Sequence, residues 1–231
     1  HHTEQPGSDY QPEEVEGLLR KIYGYHTGAE KAWPDIAYNF FVDKFGKIWE
    51  GRTGSIDDGP LQGSATGGNQ GFSQLCCFIG DFDKEPPPQA AVISMVALLA
   101  WLAGQYQLDM SPGATATFTS RGSNRKPAGT EVTTGTISTH RQMSQTECPG
   151  NACNELVLNQ FQQLVSAQLA ADPPATTAAP TTVATTSAPT TTTTTTGAAK
   201  PPATGPSTTS KPPSGEQAET RTMPPFTTDG G

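Results

Sequence analysis

The sequence predicts an α/β fold: a single domain with a central mixed β-sheet flanked by helices, followed by a disordered Thr/Pro/Ala-rich tail. Two observations carry this expectation. Before Asp172, short apolar runs of strand length alternate with longer runs of helical period, the pattern of helices layered on a sheet. After Asp172 large apolar residues almost vanish. The expected organisation is a domain over residues 1–171 and a linker or stalk over residues 172–231. A domain of that size buries about 70% of its unfolded surface, enough for one core.

Each element can be justified in order. Ser8-Asp9 followed by Pro12-Glu13-Glu14 reads as a helix start, and Val15, Leu18, Leu19, Ile22 and Tyr23 then recur at helical spacing. Residues 38–42 read as a buried strand, 43–47 as a turn and 48–52 as the returning strand of a hairpin. Residues 53–71 are rich in Gly, Ser and Asp and form a long loop of a kind that is often functional. Residues 75–79 are a further apolar strand. Residues 86–108 are the longest helix, with Val92, Val96, Leu99 and Leu102 on one face. Its apolar run, residues 90–102, is too short to span a bilayer, so a core helix and no membrane insertion are expected. Residues 118–135 read as irregular, 136–140 as a final short strand, and 151–169 as the last helix, carrying Leu156, Phe161, Leu164 and Leu169.

The tail is dominated by Thr, Pro and Ala, with an unbroken Thr run at 190–196. Such a segment cannot bury enough apolar surface to offset its chain entropy. It suits either an O-glycosylated stalk of a secreted protein or a plain linker to a further domain. The net charge is −8, and the tail holds only three basic and four acidic residues, so nearly all of the excess lies on the domain. That balance argues against nucleic acid or an anionic membrane as partner. It is compatible with a largely neutral substrate such as a glycan.

The chain has four histidines: His1, His2, His26 and His140. His140 and Cys148 stand eight positions apart, the first ending a predicted strand and the second just before a predicted helix. One turn between them can bring imidazole and thiolate to a single point, and both are good zinc ligands. A catalytic zinc takes three protein ligands and keeps one position open, so a third must come from elsewhere. His1 and His2 are the available source, and because adjacent extended residues face opposite ways only one of them should bind. A packed His and a buried Cys would show the same spacing, so these residues alone leave both readings open.

His1-His2-Thr3, Trp33-Pro34-Asp35-Ile36-Ala37-Tyr38-Asn39-Phe40, Val42-Asp43-Lys44-Phe45-Gly46-Lys47-Ile48-Trp49-Glu50-Gly51-Arg52 and His140-Arg141 with Thr146-Glu147-Cys148-Pro149-Gly150 follow one another in order. Together they resemble the peptidoglycan recognition protein and phage-lysozyme type of N-acetylmuramoyl-L-alanine amidase, over residues 1–164. Residues 119–124 add a resemblance to an actinobacterial, cell-wall branch. The resemblance implies a mixed sheet flanked by helices and assigns His1, His140 and Cys148 as ligands of Zn2+. It matches Tyr38 to the family's active-site Tyr and Thr146 to a position beside the zinc. It implies hydrolysis of the amide bond between the lactyl group of N-acetylmuramic acid and L-alanine, with zinc activating water, and Tyr38 and Thr146 holding the reacting oxygen. Non-catalytic members lack the Cys, so its presence implies an enzyme. Taken without the resemblance, Tyr38 reads as a core aromatic and Glu50 as a solvated strand-end carboxylate rather than a proton shuttle.

Several positions depart from the pattern. Ser64 stands where the family carries a loop His, and Gln142 where an Asp often follows the His-Arg pair, which would remove a supporting contact. Cys76 and Cys77 are expected to be buried free thiols. Cys153 is expected to be free or paired with one of those two, because pairing with Cys148 would destroy the metal site. The domain is read as N-terminally truncated, and His1, with no strand before it, is expected to be weakly anchored. The alternative function is a non-catalytic peptidoglycan-binding module. The expected partner is peptidoglycan or its muropeptides, with no nucleic acid, the expected state is a monomer, and the expected location is extracellular or in the cell wall.

Overall fold

The computed structural model describes residues 1–5 and 7–171; the tail expected over 172–231 lies outside the described residues. The elements are α1 (Val15–Thr27), β1 (Phe40–Val42), β2 (Ile48–Glu50), β3 (Cys76–Phe78), α2 (Gln89–Tyr106), β4 (Thr115–Thr119), β5 (Glu131–Gly135), α3 (His140–Met143), α4 (Asn151–Leu156) and α5 (Gln162–Ala171). β1 is central: it pairs antiparallel with β2 and parallel with β3, giving the order β2-β1-β3. The mixed sheet and its flanking helices are as the sequence predicts.

Side-chain alternation builds two cores on this sheet. Phe40, Val42, Ile48, Cys76 and Phe78 face a cluster completed by α2 and the C-terminal helices, including Met95, Leu98, Leu102, Phe161 and Val165. Phe41, Trp49, Cys77 and Ile79 face the other way, against Val15, Leu18 and Leu19 of α1. The strands are only three residues long, so their ladders contribute little alone. Burying a large apolar side chain contributes about 1.5–3 kcal/mol, which offsets the roughly 1–2 kcal/mol of backbone entropy lost per ordered residue. α2 has the length and hydropathy of a membrane span, but its buried residues are part of the first core. All four cysteines are free, and Cys76, Cys77 and Cys153 are buried.

Four local expectations are corrected. The helix start is set by Gln11, whose N–H donates to the Glu14 carboxylate at 2.7 Å; Ser8 instead bonds the backbone of Asp81. Residues 118–135 are not irregular: β4 and β5 form an antiparallel hairpin in which Phe118 faces Val132 and Thr117 faces Thr133, their hydroxyls 2.9 Å apart. Alternating β-branched and aromatic residues favour that pairing. His140 does not end a strand. Thr139 and Gln142 form a capping box, with Thr139 N–H donating to Gln142 Oε1 at 2.9 Å, and His140 opens α3. Finally, a π turn at Val157–Phe161 separates α4 from α5. Its extra residue rotates the buried face onto Phe161 and Val165 and leaves Leu164 exposed.

Asn39 joins these parts. It is fully buried, its Nδ2 donates to Leu61 O at 2.9 Å and to Ser55 Oγ at 3.1 Å, and its Oδ1 accepts the Leu75 N–H at 2.9 Å. It ties the long loop and the start of β3 to β1. Asn39→Ala leaves the buried Ser55 hydroxyl and Leu75 N–H unmatched, while Leu61 O keeps its bond from Gln74 Nε2, and is expected to lower the unfolding free energy by about 2–4 kcal/mol. Urea denaturation measures this; a loss below about 0.5 kcal/mol would show that the contacts are not needed.

Candidate metal centre

Three distant residues converge on one point. His1 lies in an extended segment, residues 1–3, that runs parallel beside β3. His1 N donates to Cys76 O, Phe78 N to His1 O and Thr3 N to Phe78 O, each at 3.0 Å. The expectation of weak anchoring is therefore overturned, because β3 offers an edge that holds this segment. Alternation sends the two imidazoles apart: the His1 ring lies 4.6 Å from that of His140 and 5.0 Å from that of Tyr38. His2 is buried toward Phe82, whose N–H its Nδ1 accepts at 3.3 Å. His140 is presented by the capped first turn of α3. Cys148 lies in the turn that enters α4.

That turn has its own supports. Arg141 spans it, with Nη1 donating to Asn151 Oδ1 at 2.6 Å and Nε and Nη2 to Glu147 O. Gly150 has φ +86°, and a Cβ there would meet the Phe82 carbonyl at 2.4 Å, so only glycine permits the approach. Ser123 Oγ donates to Met143 O, and Asn124 exchanges two bonds with Gln145, at 2.8 and 3.2 Å. The β4–β5 connection thus braces the stretch between His140 and Cys148. The sequence reading missed Thr139, Arg141, Asn124 and Gly150 as supports. Only the Thr139-x-x-Gln142 spacing was a signal that could have found one of them.

The ligand atoms of His1, His140 and Cys148 all lie within 4.8 Å of one another. Cys148 Sγ and His1 Nδ1 are 3.6 Å apart. Tetrahedral zinc, with bonds of about 2.0 Å to nitrogen and 2.3 Å to sulfur, sets such ligands about 3.5 Å apart. His140 Nδ1 is buried with no hydrogen-bond partner, a loss that a bound metal would remove. Two imidazoles and a thiol are a borderline-soft donor set suited to zinc. The residues present therefore fit the metal.

Burial shapes the electrostatics. It pushes the imidazoles of His2, His26 and His140 down to about 4, so they are neutral at pH 7 and keep a lone pair. It pushes the Cys148 thiol up, and the His2 N–H, which donates to Sγ at 3.3 Å, opposes that rise. It also holds the Tyr38 phenol well above its ordinary value, so Tyr38 remains a proton-bearing donor.

Tyr38 leans on His1, and its ring also meets His26 at 6.0 Å and Phe41 at 5.4 Å. The Thr146 hydroxyl accepts the Cys148 N–H at 3.2 Å, leaving its own proton to donate. Glu50 is not the solvated carboxylate expected: it is buried and accepts the Ile56 N–H at 3.0 Å. Ser64 accepts from Arg52 Nη2 at 2.8 Å. Gln142 restores a structural contact through the cap rather than removing one.

A family model described as N-acetylmuramoyl-L-alanine amidase matches residues 1–151. Peptidoglycan-recognition protein SD of Drosophila simulans is 27% identical over 139 residues, 60% of this chain and 59% of that protein. The chain thus spans about three fifths of the length of that curated relative. The bumblebee PGRP-SA structure superimposes with a TM-score of 0.52 at 20% identity, covering 70% of this chain and 79% of that one. Human PGRP-IBETAC, solved in complex with glycosamyl muramyl pentapeptide, gives 0.50 at 24% identity, covering 69% and 79%. These likenesses establish a shared fold.

The three depressed histidines fix a pH dependence. Each binds a proton near pH 6.5 when unfolded but only near pH 4 when folded, so the unfolded chain takes up more protons in that window. The stability is present above pH 6.5 and lost as pH falls toward 4. Each contributes on the order of 2–3 kcal/mol, and three together rival the whole stability of a domain. Chelator-treated protein is expected to unfold between pH 6.5 and 4, with His26→Phe making the loss shallower. Circular dichroism across that range checks it; a flat profile would contradict it.

Proposed function

This chain belongs to the N-acetylmuramoyl-L-alanine amidase family, and from that premise we propose that it is a zinc amidase acting on peptidoglycan outside the cell or in its wall. The bond cut is the amide joining the lactyl group of N-acetylmuramic acid to L-alanine of the stem peptide. The observation that carries this reading is the convergence of His1, His140 and Cys148 within 4.8 Å. The cysteine that the family resemblance ties to catalysis is present. The muramyl peptide bound by the human relative supports muropeptides as the ligand class.

Zinc held by these three side chains would supply an activated water, its pKa lowered toward ~7, and polarise the scissile carbonyl. The chain's own residues do the rest. Pairing with β3 fixes His1, and the capped turn fixes His140. The His2 N–H donates to Cys148 Sγ and stabilises its thiolate. Tyr38, kept protonated by burial, donates to the carbonyl oxygen as negative charge develops there. Thr146, its oxygen already engaged by Cys148 N–H, offers its proton to the same region.

A second reading, a peptidoglycan-binding module without catalysis, is favoured by Ser64. It stands in place of the family's loop His and is committed to Arg52.

Three variants separate the readings. The whole chain is expected to hold one zinc and to release stem peptides from muropeptides. Cys148→Ser loses both metal and cleavage, while His2→Asn keeps the metal. Tyr38→Phe keeps the metal and lowers kcat by about 10²–10³. Metal analysis and chromatography of the products read these outcomes. A zinc-loaded chain that binds muropeptides and leaves them intact would establish the second reading instead.

A further inference from the structure

The connection between β4 and β5 includes Arg121-Gly122-Ser123-Asn124-Arg125-Lys126, which holds three cations and no acid on a domain whose charge is otherwise in acidic excess. None of these cations takes part in the reading above. Among the described residues the ion pairs are Arg20 with Glu16 and Arg141 with Glu147, so Arg121, Arg125 and Lys126 have no carboxylate partner.

Polar contacts hold this connection beside the candidate centre. Ser123 and Asn124 bond the stretch between His140 and Cys148. On the other side, Arg121 N–H donates to Asn69 Oδ1 and Gly68 N–H to Gly122 O, both at 2.8 Å. Position 68 requires glycine, since a Cβ there would meet Arg121 O at 2.7 Å. The Arg121 guanidinium carbon then lies 4.6 Å from the centre of the Phe72 ring, and Phe72 stacks on Phe118 at 4.5 Å. A cation seated on an aromatic ring is attracted by the ring and still has N–H groups to offer. Gly71 leaves it room: a Cβ there would fall 3.0 Å from Arg121 Nη1 and 2.8 Å from Gln62 Oε1. Phe72, His1 and His140 line one cavity. Arg121 is therefore an exposed, unpaired cation held against a wall of the space that two candidate ligands also line.

We propose that Arg121 binds the first carboxylate of the stem peptide, that of the glutamyl residue after L-alanine, and so selects stems in which this group is free rather than amidated. The inference rests on the reading of a muropeptide as the ligand. L-alanine is neutral, so this carboxylate is the stem's negative charge nearest the scissile bond. An extended chain advances about 3.5 Å per residue, which puts it within about 7 Å of that bond. A guanidinium can give a carboxylate two parallel N–H···O bonds, whereas a carboxamide offers one acceptor oxygen and no charge.

The test compares two N-acetylmuramyl tripeptides whose third residue is an alaninamide. They differ only in whether the glutamyl residue after L-alanine carries a carboxylate or a carboxamide. The whole chain, treated with chelator so that no peptide is cleaved, is titrated with each by calorimetry. The carboxylate form is expected to bind at least about tenfold more tightly, the worth of one charge-assisted hydrogen bond. Arg121→Gln is expected to bring the ratio near one by weakening the carboxylate form alone, and Arg125→Gln to leave the ratio unchanged. Equal binding of the two peptides by the wild type overturns the proposal, and so does binding of neither. An equal loss of preference in Arg125→Gln also overturns it, because a diffuse positive field would then be the cause. Cleavage by the zinc-loaded chain is followed separately. Preference without cleavage removes the amidase reading and keeps this site; cleavage without preference does the reverse. If either variant fails to fold, the wild-type comparison still decides.

Discussion

The segment that carries His1 and the turn that carries Cys148 dock on the same few residues, and the centre depends on that shared seat. Residues 80–83 follow β3. Gly80 O accepts the Glu4 N–H at 2.9 Å, and Phe82 N–H donates to His2 Nδ1. Phe82 O and Asp83 O accept the N–H groups of Cys153 and Ala152, and the Asp83 carboxylate accepts that of Asn151. Candidate ligands 147 positions apart in the chain are thereby fixed through a common piece of backbone. Gly150 is the tightest point, since any Cβ would strike Phe82. A shift there would move Cys148 relative to His1, and a metal site tolerates only a few tenths of an ångström.

His140 is held differently. Its turn is local, closed by Thr139 and Gln142, but the stretch from there to Cys148 lacks regular structure and needs external support. The β4–β5 connection supplies it through Ser123 and Asn124. That connection is seated in turn by Asn69, whose Oδ1 accepts the Arg121 N–H at 2.8 Å. The long loop, the hairpin and the ligand turn therefore form one hydrogen-bonded chain of contacts. Each link is polar and short-ranged, so the chain is geometrically specific in a way that apolar packing alone is not.

What could be read from the sequence follows the range of the interactions. α1, α2 and the first hairpin rest on local periodicity, and Val15, Leu18 and Leu19 face the core as the pattern requires, whereas Tyr23 is exposed. The alternation argument that separated His1 from His2 also held, because it needs only an extended backbone. The failures came where a non-local partner decides. The weak anchoring expected of His1 ignored the open edge of β3. The hairpin of β4 and β5 is Thr-rich and exposed, so it lacks the apolar alternation that marks a strand. Leu164 turned outward because the π turn breaks the helical frame by one residue. Glu50 is buried because the long loop folds back and offers the Ile56 N–H, which no local pattern announces.

The same burial that assembles the candidate centre would govern how a metal enters it. A neutral imidazole keeps the lone pair that a metal needs, so depressing His140 favours binding. Raising the Cys148 thiol opposes it, since a proton must leave before sulfur can coordinate. The two effects pull in opposite directions, and the His2 N–H lessens the rise of the Cys148 thiol without cancelling it. Tyr38 completes the logic from the other side. Its ring is wedged between His1 and His26, and His26 is itself fixed by the Ala37 N–H at 3.2 Å and packed on Trp33 at 5.0 Å. A run of tilted and edge-on rings thus reaches from Trp33 to His1. Such packing loses little further freedom when charge develops nearby, which is the condition under which a fixed donor is most effective. The packing that fixes these rings would suit the candidate centre to hold an ion in a fixed position.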